Sequence, residues 1–493
     1  MDVVNSKNLL YDAKKHKYAV CAFNVENMEM IKAVIKQAVT YKSPVIIASS
    51  TNALNYVDPI IIANIVKGFC TNLTIPIVLH LDHGESIELV SKCLKAGYSS
   101  IMIDGSKKSY IENINITKQV ANLCHYFDIT VEGELGAIGG KIDAKNIDLA
   151  YTNPDSAVDF VDKTNIDSIA VAIGTVHGIY MKTPMLDYQR CKEISSKLKI
   201  PLVLHGASGL SYEQVRNCIE NGITKVNYAT ELRIAYTHAV KEYLDENPNV
   251  FDPKKYGEAA MDAVGDVVLE KMITCNSIGR AIKLQPKLIV FDFDGVVVDS
   301  EKVFFKAWKK AIETLELNIS DDKILNLRSC DKTIATSYFK KNSDYDKTRE
   351  KRKEYMSKFK REYYDLKPHI FESFKFLNEK GYKIIIASSS ITDTIENHLI
   401  NYNLINYIDR IVSTKDVTKG KPFPDIYFYI AKLYEIKTDD ILVFEDSPNG
   451  ITSAYDAGCH VCMIPDLTKP TKDDLSKVDI VIPSAEFIKN FIV

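Results

Sequence analysis

From Ala19 to Thr230 the chain alternates short apolar runs with longer amphipathic segments. The runs are AVCAFNV (19–25), PVIIASS (44–50), PIVLHLDHG (76–84), SSIMIDGS (99–106), ITVEGELG (129–136), SIAVAIG (168–174), PLVLHGASG (201–209) and KVNYAT (225–230). They are continuously apolar rather than alternating, the pattern of strands buried on both faces of a parallel sheet. Segments between them, such as MEMIKAVIKQAVTY (28–41), repeat with a helical period. Eight strand–helix units in succession predict an α/β fold of the TIM (β/α)8 barrel type, with a doubly wound sheet as the alternative.

The helical pattern continues over residues 241–281, broken at Pro248 and Pro253, and residues 282–286 lead into a second alternation. Its strand candidates are KLIVFDFDG (287–295), YKIIIASSS (382–390), DRIVST (409–414), DILVFEDS (440–447) and CHVCMIP (459–465). Between Ser300 and Pro368 the spacing turns amphipathic and helical, rich in lysine and aromatics. The expected organisation is a barrel over 1–281 and a Rossmann-like sheet over 287–493, with a helical cap near 302–367.

Composition adds few constraints. A chain of 493 residues, 46% hydrophobic and 26% charged, can bury full-sized cores. A net charge of −3 gives no footing for nucleic acid or an anionic membrane as partner. The basic run Arg349–Lys353, interleaved with Glu350 and followed by Glu354, reads as a solvated helix face. Ten cysteines are scattered, several inside apolar runs (Cys21, Cys93, Cys462), which suits reduced thiols better than a disulfide framework. Cys459 and Cys462 have the spacing of a redox or metal pair but lack a second pair. The N-terminal stretch lacks a signal-type apolar core, and no segment approaches the ~18 apolar residues of a membrane span, so a cytoplasmic location is expected.

His83, His177 and His205 fall at or just past the C-terminal ends of the third, sixth and seventh runs. In a parallel barrel those ends converge on one face. Three neutral imidazoles with an open fourth position form the pattern of catalytic zinc. Any one of them alone reads better as a packed or surface histidine; the weight comes from their shared place in the repeat and the glycines beside them. Asp82 neighbours His83 and would point to the opposite strand face unless a turn brings both inward, where Asp82 could give or take a proton. Glycine-rich ends at 174–178 and 205–209 offer backbone N–H groups to a phosphate. Ser208, Asn227 and Thr230 add side-chain donors, and Lys182 a point charge.

The segments AFNVENME, LHLDHG, MIDGS, VEGELGAIGG, YTNP, AVAIGTVHGIYMKTP, PLVLHGASGLS and KVNYATELRIAY resemble the class II, zinc-dependent ketose-bisphosphate aldolases, most nearly their tagatose-bisphosphate branch. The resemblance covers about residues 1–281. It implies Zn2+ on His83, His177 and His205, proton transfer by Asp82, and acidic residues Asp104 and Glu134 near the metal. It further implies that Gly178, Lys182, Gly206, Ser208, Asn227 and Thr230 hold dihydroxyacetone phosphate, and that a monovalent cation (Na+ or K+) binds. The family's mobile loop carries a Glu-Asp pair whose Glu moves the carbon-bound proton. Here that loop reads GGKIDAKNID (139–148), shortened, with Ile142 where the Glu would fall and Asp143 as the carboxylate that could replace it.

In the second half, Asp292 and Asp294 follow the apolar run KLIVF, with Gly295 allowing a sharp turn. An aspartate attacking a phosphoryl group needs a cation to offset charge and a second acid for the leaving oxygen. Asp292 suits the nucleophile and Asp294 the acid/base. Ser388 ends a second run, Lys421 lies in KGKPFPD, and Glu445 and Asp446 end a third. They supply a phosphate-binding hydroxyl, a balancing cation and carboxylates for Mg2+. The ordered set DFDGVVVDSE, IIIASSS, KGKPFPD and VFEDSPNGI resembles the haloacid-dehalogenase superfamily, in its branch of sugar-phosphate phosphatases and β-phosphoglucomutase-like enzymes. The resemblance implies Mg2+ on Asp292, the backbone of Asp294 and Asp446, with Glu445 supporting. The mutases carry a histidine where Phe304 stands, which favours transfer to water.

The expected function is therefore a bifunctional sugar-phosphate enzyme: aldol addition of dihydroxyacetone phosphate to an aldehyde, then removal of phosphate from the ketose product. Its partners would be small phosphosugars and further copies of the chain, in a dimer or tetramer. The competing readings are a phosphosugar-sensing barrel attached to a phosphatase, and a mutase as second domain.

Overall fold

The computed structural model describes residues 3–136, 151–178, 180, 182–327, 332–363 and 365–493. The chain divides into two compact units, Met1–Ala281 and Ile282–Val493.

In the first unit eight parallel strands close into a barrel: β1 (Val20–Asn24), β2 (Val45–Ser50), β3 (Ile77–Gly84), β4 (Ser100–Ile103), β5 (Thr130–Leu135), β6 (Ser168–Val171), β7 (Leu202–Leu204) and β8 (Ile223–Tyr228). β1 pairs with β8 to complete the ring, Cys21 opposite Val226. The doubly wound alternative is thereby set aside. Every predicted run contains a strand. Most strands are shorter than their runs because the glycine and polar residues at the C-terminal ends leave the ladder for loops. β8 begins two residues before its run, at Ile223, because polar Thr224 and Lys225 separate Ile223 from the apolar pattern. Strand residues such as Ile46, Ile47, Val78 and Leu79 are buried, each contributing about 1.5–3 kcal/mol of hydrophobic stabilisation. Most of the described surrounding helices start on side-chain caps, including capping boxes at Ser109 with Glu112 and Ser211 with Gln214. The proline break separates helices Thr230–Glu246 and Pro253–Thr274, the second capped by Asp252, which accepts from the Lys254 N–H.

The second unit is a parallel six-stranded sheet of β9 (Leu288–Phe291), β10 (Lys383–Ser388), β11 (Arg410–Ser413), β12 (Ile441–Glu445), β13 (His460–Met463) and β14 (Ile480–Val481), in the order β11-β10-β9-β12-β13-β14. β14, two residues long, carries too little pattern to be predicted. Chain order reverses at central β9, which has β10 on one side and β12 on the other, and open α/β sheets bind ligands past the strand ends at such a point. Helices Ser300–Thr314, Asp321–Asn326, Lys332–Ser337 and Asn342–Tyr363 form the insertion, around a cluster including Trp308, Ile312, Ile324, Phe339 and Tyr345. The basic run is not wholly a solvated face. Arg352 turns inward, its guanidinium 5.2 Å from the Phe304 ring centre and 5.4 Å from that of Trp308, burying its Nε.

Among the described residues the cysteines are buried free thiols, Cys459 and Cys462 included. No described helix is long and apolar enough to cross a membrane.

Candidate active sites

The first site begins with an irregularity in β3. Its register against β4 shifts between Leu81 and Gly84, and His83 adopts φ 49°, in the left-handed region. That conformation is uncommon for a non-glycine residue and costs about 1–3 kcal/mol. It turns two consecutive side chains to the same side of the strand. Asp82 Oδ1 accordingly lies 3.9 Å from His83 Nε2 and 3.8 Å from His205 Nδ1. The Thr51 hydroxyl donates to the His83 carbonyl at 2.7 Å, and His83 Nδ1 meets Asp104 Oδ2 at 2.9 Å.

His83, His177 and His205 each present a ring nitrogen within 4.8 Å of the others. His83 Nε2 and His205 Nδ1 are buried without a hydrogen-bond partner, so two lone-pair sites converge on one point. His83 also groups with Asp104 and Glu134. Burial alone would lower the His83 pKa, but Asp82, Asp104 and Glu134 push it up to about 9. Burial, then the neighbouring imidazoles, lowers His177 to about 4, while burial and Asp104 raise Glu134 to about 8. The carboxylates gathered around His83 mark a place that favours positive charge, and the donor set fits a divalent cation such as zinc. For Asp82, burial is outweighed by His83, His205 and Lys225, which hold it below the usual carboxylate range. Asn24 and Asn227 donate to its two oxygens at 2.7 and 3.1 Å, fixing an ionised carboxylate beside the centre.

Beneath the histidines runs a buried polar chain. His205 Nε2 donates to Glu132 Oε1 at 2.9 Å, and Lys225 Nζ donates to Glu132 Oε2 at 2.7 Å. Lys225 also donates to His80 Nε2 at 3.0 Å, and His80 Nδ1 lies 2.9 Å from Ser100 Oγ. Glu132 thus sets the His205 tautomer whose Nδ1 lone pair faces the centre. His80 is lowered to about 3 by burial and then by Lys225, so it stays neutral. Sequence reasoning named none of Asn24, His80, Glu132 and Lys225. The signal was the two-residue strand period, which puts His80 on the face of Asp82, Glu132 on that of Glu134 and Lys225 on that of Asn227.

Of the expected phosphate donors, Gly206 and Ser208 follow β7, Asn227 lies in β8, and Thr230 opens the next helix. Ser208 Oγ accepts from the Ala229 N–H at 3.3 Å, while Lys182 is exposed. Gly178 follows His177 in the adjoining loop. Ile142 and Asp143 lie outside the described residues.

In the second unit the central group is Asp292, Glu445 and Asp446, one carboxylate oxygen of each within 4.8 Å of the others. Lys421 Nζ donates to Asp292 Oδ1 at 2.6 Å, Glu445 Oε1 at 2.5 Å and the Ala387 carbonyl at 2.9 Å. Burial, with Glu445 and Asp446, pushes the Asp292 carboxyl well up against the pull of Lys421. Burial disfavours the Lys421 charge, yet Asp292 and Glu445 keep that ammonium well above its ordinary pKa. Three carboxylates lie together while one lysine neutralises only Asp292 and Glu445, so this donor set fits a divalent cation such as magnesium. Gly295 is required here: with φ 86°, any Cβ would sit 2.0 Å from Asp446 Oδ2. Glu445 turns partly back to its own chain, accepting from the N–H groups of Asp446 and Ser447 at 3.1 and 3.4 Å.

Asp294 Oδ2 accepts from the Ser390 hydroxyl at 2.6 Å, and the Ser390 N–H donates to buried Ser388 at 3.0 Å. Sequence reasoning stopped at Ser388 and missed Ser390, which shares its strand-end face two residues on. Phe304 packs edge-on against Trp308 at 6.2 Å, part of the insertion's aromatic core.

The class II fructose-bisphosphate aldolase family model matches residues 4–280, and the haloacid dehalogenase-like hydrolase model matches 289–464. The chain belongs to the class II fructose-bisphosphate aldolase family and carries a haloacid dehalogenase-like hydrolase domain after the barrel. Both domains are of enzymatic type, a lyase and a hydrolase. Solved structures agree for the barrel. The YdjI aldolase from Escherichia coli K12 is 35% identical, covering 57% of this chain and 99% of its own with a TM-score of 0.52. A putative fructose-1,6-bisphosphate aldolase from Coccidioides immitis is 31% identical, covering 56% and 96% with a TM-score of 0.51. Fructose-bisphosphate aldolase from Campylobacter jejuni, 23% identical over 56% and 96% with a TM-score of 0.51, shares the fold.

Two stability predictions follow from the buried chain. Lys225→Met leaves Glu132 charged and unpaired, and should destabilise the barrel by about 3–5 kcal/mol. Urea unfolding by circular dichroism checks this, with fluorescence of Trp308, the only tryptophan, reporting the second unit as an unshifted control. His80 stays neutral when folded but titrates near its ordinary pKa when unfolded, so its contribution is present above about 6.5 and lost as pH falls toward 3. Between pH 6 and 4.5, His80→Gln should flatten the stability–pH slope by about 1.4 kcal/mol per pH unit, one proton's worth, in denaturation series across that range.

Proposed function

We propose that the chain is a bifunctional sugar-phosphate enzyme, joining dihydroxyacetone phosphate to an aldehyde in one unit and hydrolysing a sugar phosphate in the other. The observation that carries this reading is the meeting of two unpartnered imidazole nitrogens, His83 Nε2 and His205 Nδ1, beside an ionised, doubly hydrogen-bonded Asp82. Zinc on His83, His177 and His205 would polarise the ketone oxygen of the substrate. Asp82 then takes the hydroxyl proton in cleavage and returns it in addition. Asp104 and Glu134 hold His83 in place and offer an alternative metal position. Gly178, Gly206, Ser208, Asn227, Thr230 and Lys182 take the phosphate, and Asp143 is the carboxylate assigned to the carbon-bound proton. A sodium or potassium ion beside that phosphate completes the barrel's ligand set.

In the second unit Asp292 attacks phosphorus, forming an aspartyl phosphate as the ester P–O bond breaks, and Asp294 protonates the departing oxygen. Asp294 next removes a proton from water, whose oxygen attacks phosphorus and releases phosphate, restoring Asp292. Magnesium on Asp292, Asp446 and the Asp294 backbone, supported by Glu445, would offset the crowded negative charge. Lys421 and Ser388 hold the phosphoryl oxygens, and Ser390 aims Asp294. Phe304, committed to the cap core, offers no proton, which favours phosphatase over mutase chemistry. Aldol addition is reversible and ester hydrolysis is not, so the second reaction draws the first toward synthesis. Domain limits of 1–281 and 287–493, with the cap near 302–367, a dimer or tetramer, and a cytoplasmic setting belong to the same proposal.

The test supplies dihydroxyacetone phosphate, an aldehyde panel, Zn2+ and Mg2+, and follows free phosphate. Release should require the aldehyde, and Asp292→Asn should leave a ketose phosphate to accumulate; release indifferent to Asp292→Asn would sink the coupling. Ser390→Ala removes one charge-assisted hydrogen bond from Asp294 and should lower phosphatase kcat about tenfold, measured by phosphate release from a sugar-phosphate panel.

A further inference from the structure

The loops after β6 and β7 each carry a centre histidine and a phosphate-site glycine, and one side chain ties them together. The Tyr180 hydroxyl accepts from the Val176 N–H at 3.0 Å and donates to the Gly206 carbonyl at 2.6 Å. Val176 immediately precedes His177, and Gly206 immediately follows His205. The loops already touch at that level: a Cβ on Gly206, whose φ is 67°, would lie 2.6 Å from the Val176 carbonyl oxygen. The Tyr180 ring continues the contact, reaching within 3.3 Å of the Cβ position at Gly209. One phenol therefore spans both loops, next in sequence to two of the three histidines.

The histidines differ in how they are held. His205 is anchored from below by Glu132, and His83 by Asp104. His177 makes no hydrogen bond among the described residues; its ring contacts are to His83 at 5.0 Å and His205 at 6.1 Å. Its position relative to the others depends on the backbone beside it, and Tyr180 fixes that backbone.

We propose that Tyr180 is a positioning residue of the barrel site, stapling the loop of His177 to the loop of His205 so that the third imidazole meets the other two. The staple also sets the distance between Gly178 and Gly206, where the substrate phosphate is expected. This rests on the zinc aldolase reading above, and the test separates the two.

Tyr180→Phe keeps the ring against Gly209 and removes both hydrogen bonds. Zinc affinity of the full chain is measured by chelator competition, with His177→Ala as the reference for a lost ligand. Metal-free thermal unfolding of each variant is recorded alongside. The expected result is a zinc Kd raised about tenfold in Tyr180→Phe, in the range typical of groups that orient metal ligands, with the metal-free transition nearly unchanged. A Kd within twofold of the unmodified chain, while His177→Ala weakens zinc strongly, overturns the staple and leaves the aldolase reading standing. Zinc binding indifferent to His177→Ala contradicts the aldolase reading itself. If Tyr180→Phe lowers metal-free stability, Gly209→Ala, which crowds the ring and strains a backbone at φ 87° but spares the hydroxyl, is the second variant. Unaltered zinc affinity there beside a weakened Tyr180→Phe supports the hydroxyl staple, and equal weakening of both overturns it.

Discussion

The barrel site depends on one local violation of strand geometry. A regular β3 would send Asp82 and His83 to opposite faces, leaving one in the barrel and the other against the helices. The shift between Leu81 and Gly84, with His83 at φ 49°, sends both into the barrel mouth. The surroundings hold this strained turn from two directions, Thr51 on the His83 carbonyl and Asp104 on its ring. The alignment of His205, the ionisation of Asp82 and the raised pKa of His83 all require those two side chains to share a side.

Both sites solve the same electrostatic problem, a charge buried where water cannot solvate it. In the barrel, Lys225 and Glu132 are nearly inaccessible, with side chains 1% and 2% exposed. Such a pair is tolerable only when its remaining donors and acceptors are used, and His80, His205 and Ser168 use them. In the second unit, Lys421 does the equivalent for Asp292 and Glu445 while bonding a strand carbonyl. The difference lies in balance. The barrel chain is satisfied and reads as scaffold, whereas crowded carboxylates beside Lys421 leave negative charge for a cation to match.

Much of this was legible in the sequence. Apolar run length sufficed for the eight barrel strands, and the repeat position of His83, His177 and His205 brought them to one face. Several features were not legible, for different reasons. A bulge has no period, so whether Asp82 could join His83 stayed open until the backbone was seen. Polar residues inside apolar runs, such as His80, Glu132 and Lys225, read as interruptions until the two-residue period is applied from a known site residue outward. Arg352 was hidden by composition, because a basic run looks solvated even when one member folds onto Phe304 and Trp308. The helical insertion was visible as a change of period, and two-residue β14 was beneath any periodic signal.

The claim on which the rest turns is that the bulged strand completes a three-imidazole zinc centre. Anomalous diffraction across the zinc absorption edge, from crystals of the zinc-loaded chain, tests it most directly. The account predicts a zinc peak bonded by His83 Nε2 and His205 Nδ1 with the His177 ring as third ligand. A barrel in which zinc is absent from that point, or is held by carboxylates without His177 and His205, would contradict it.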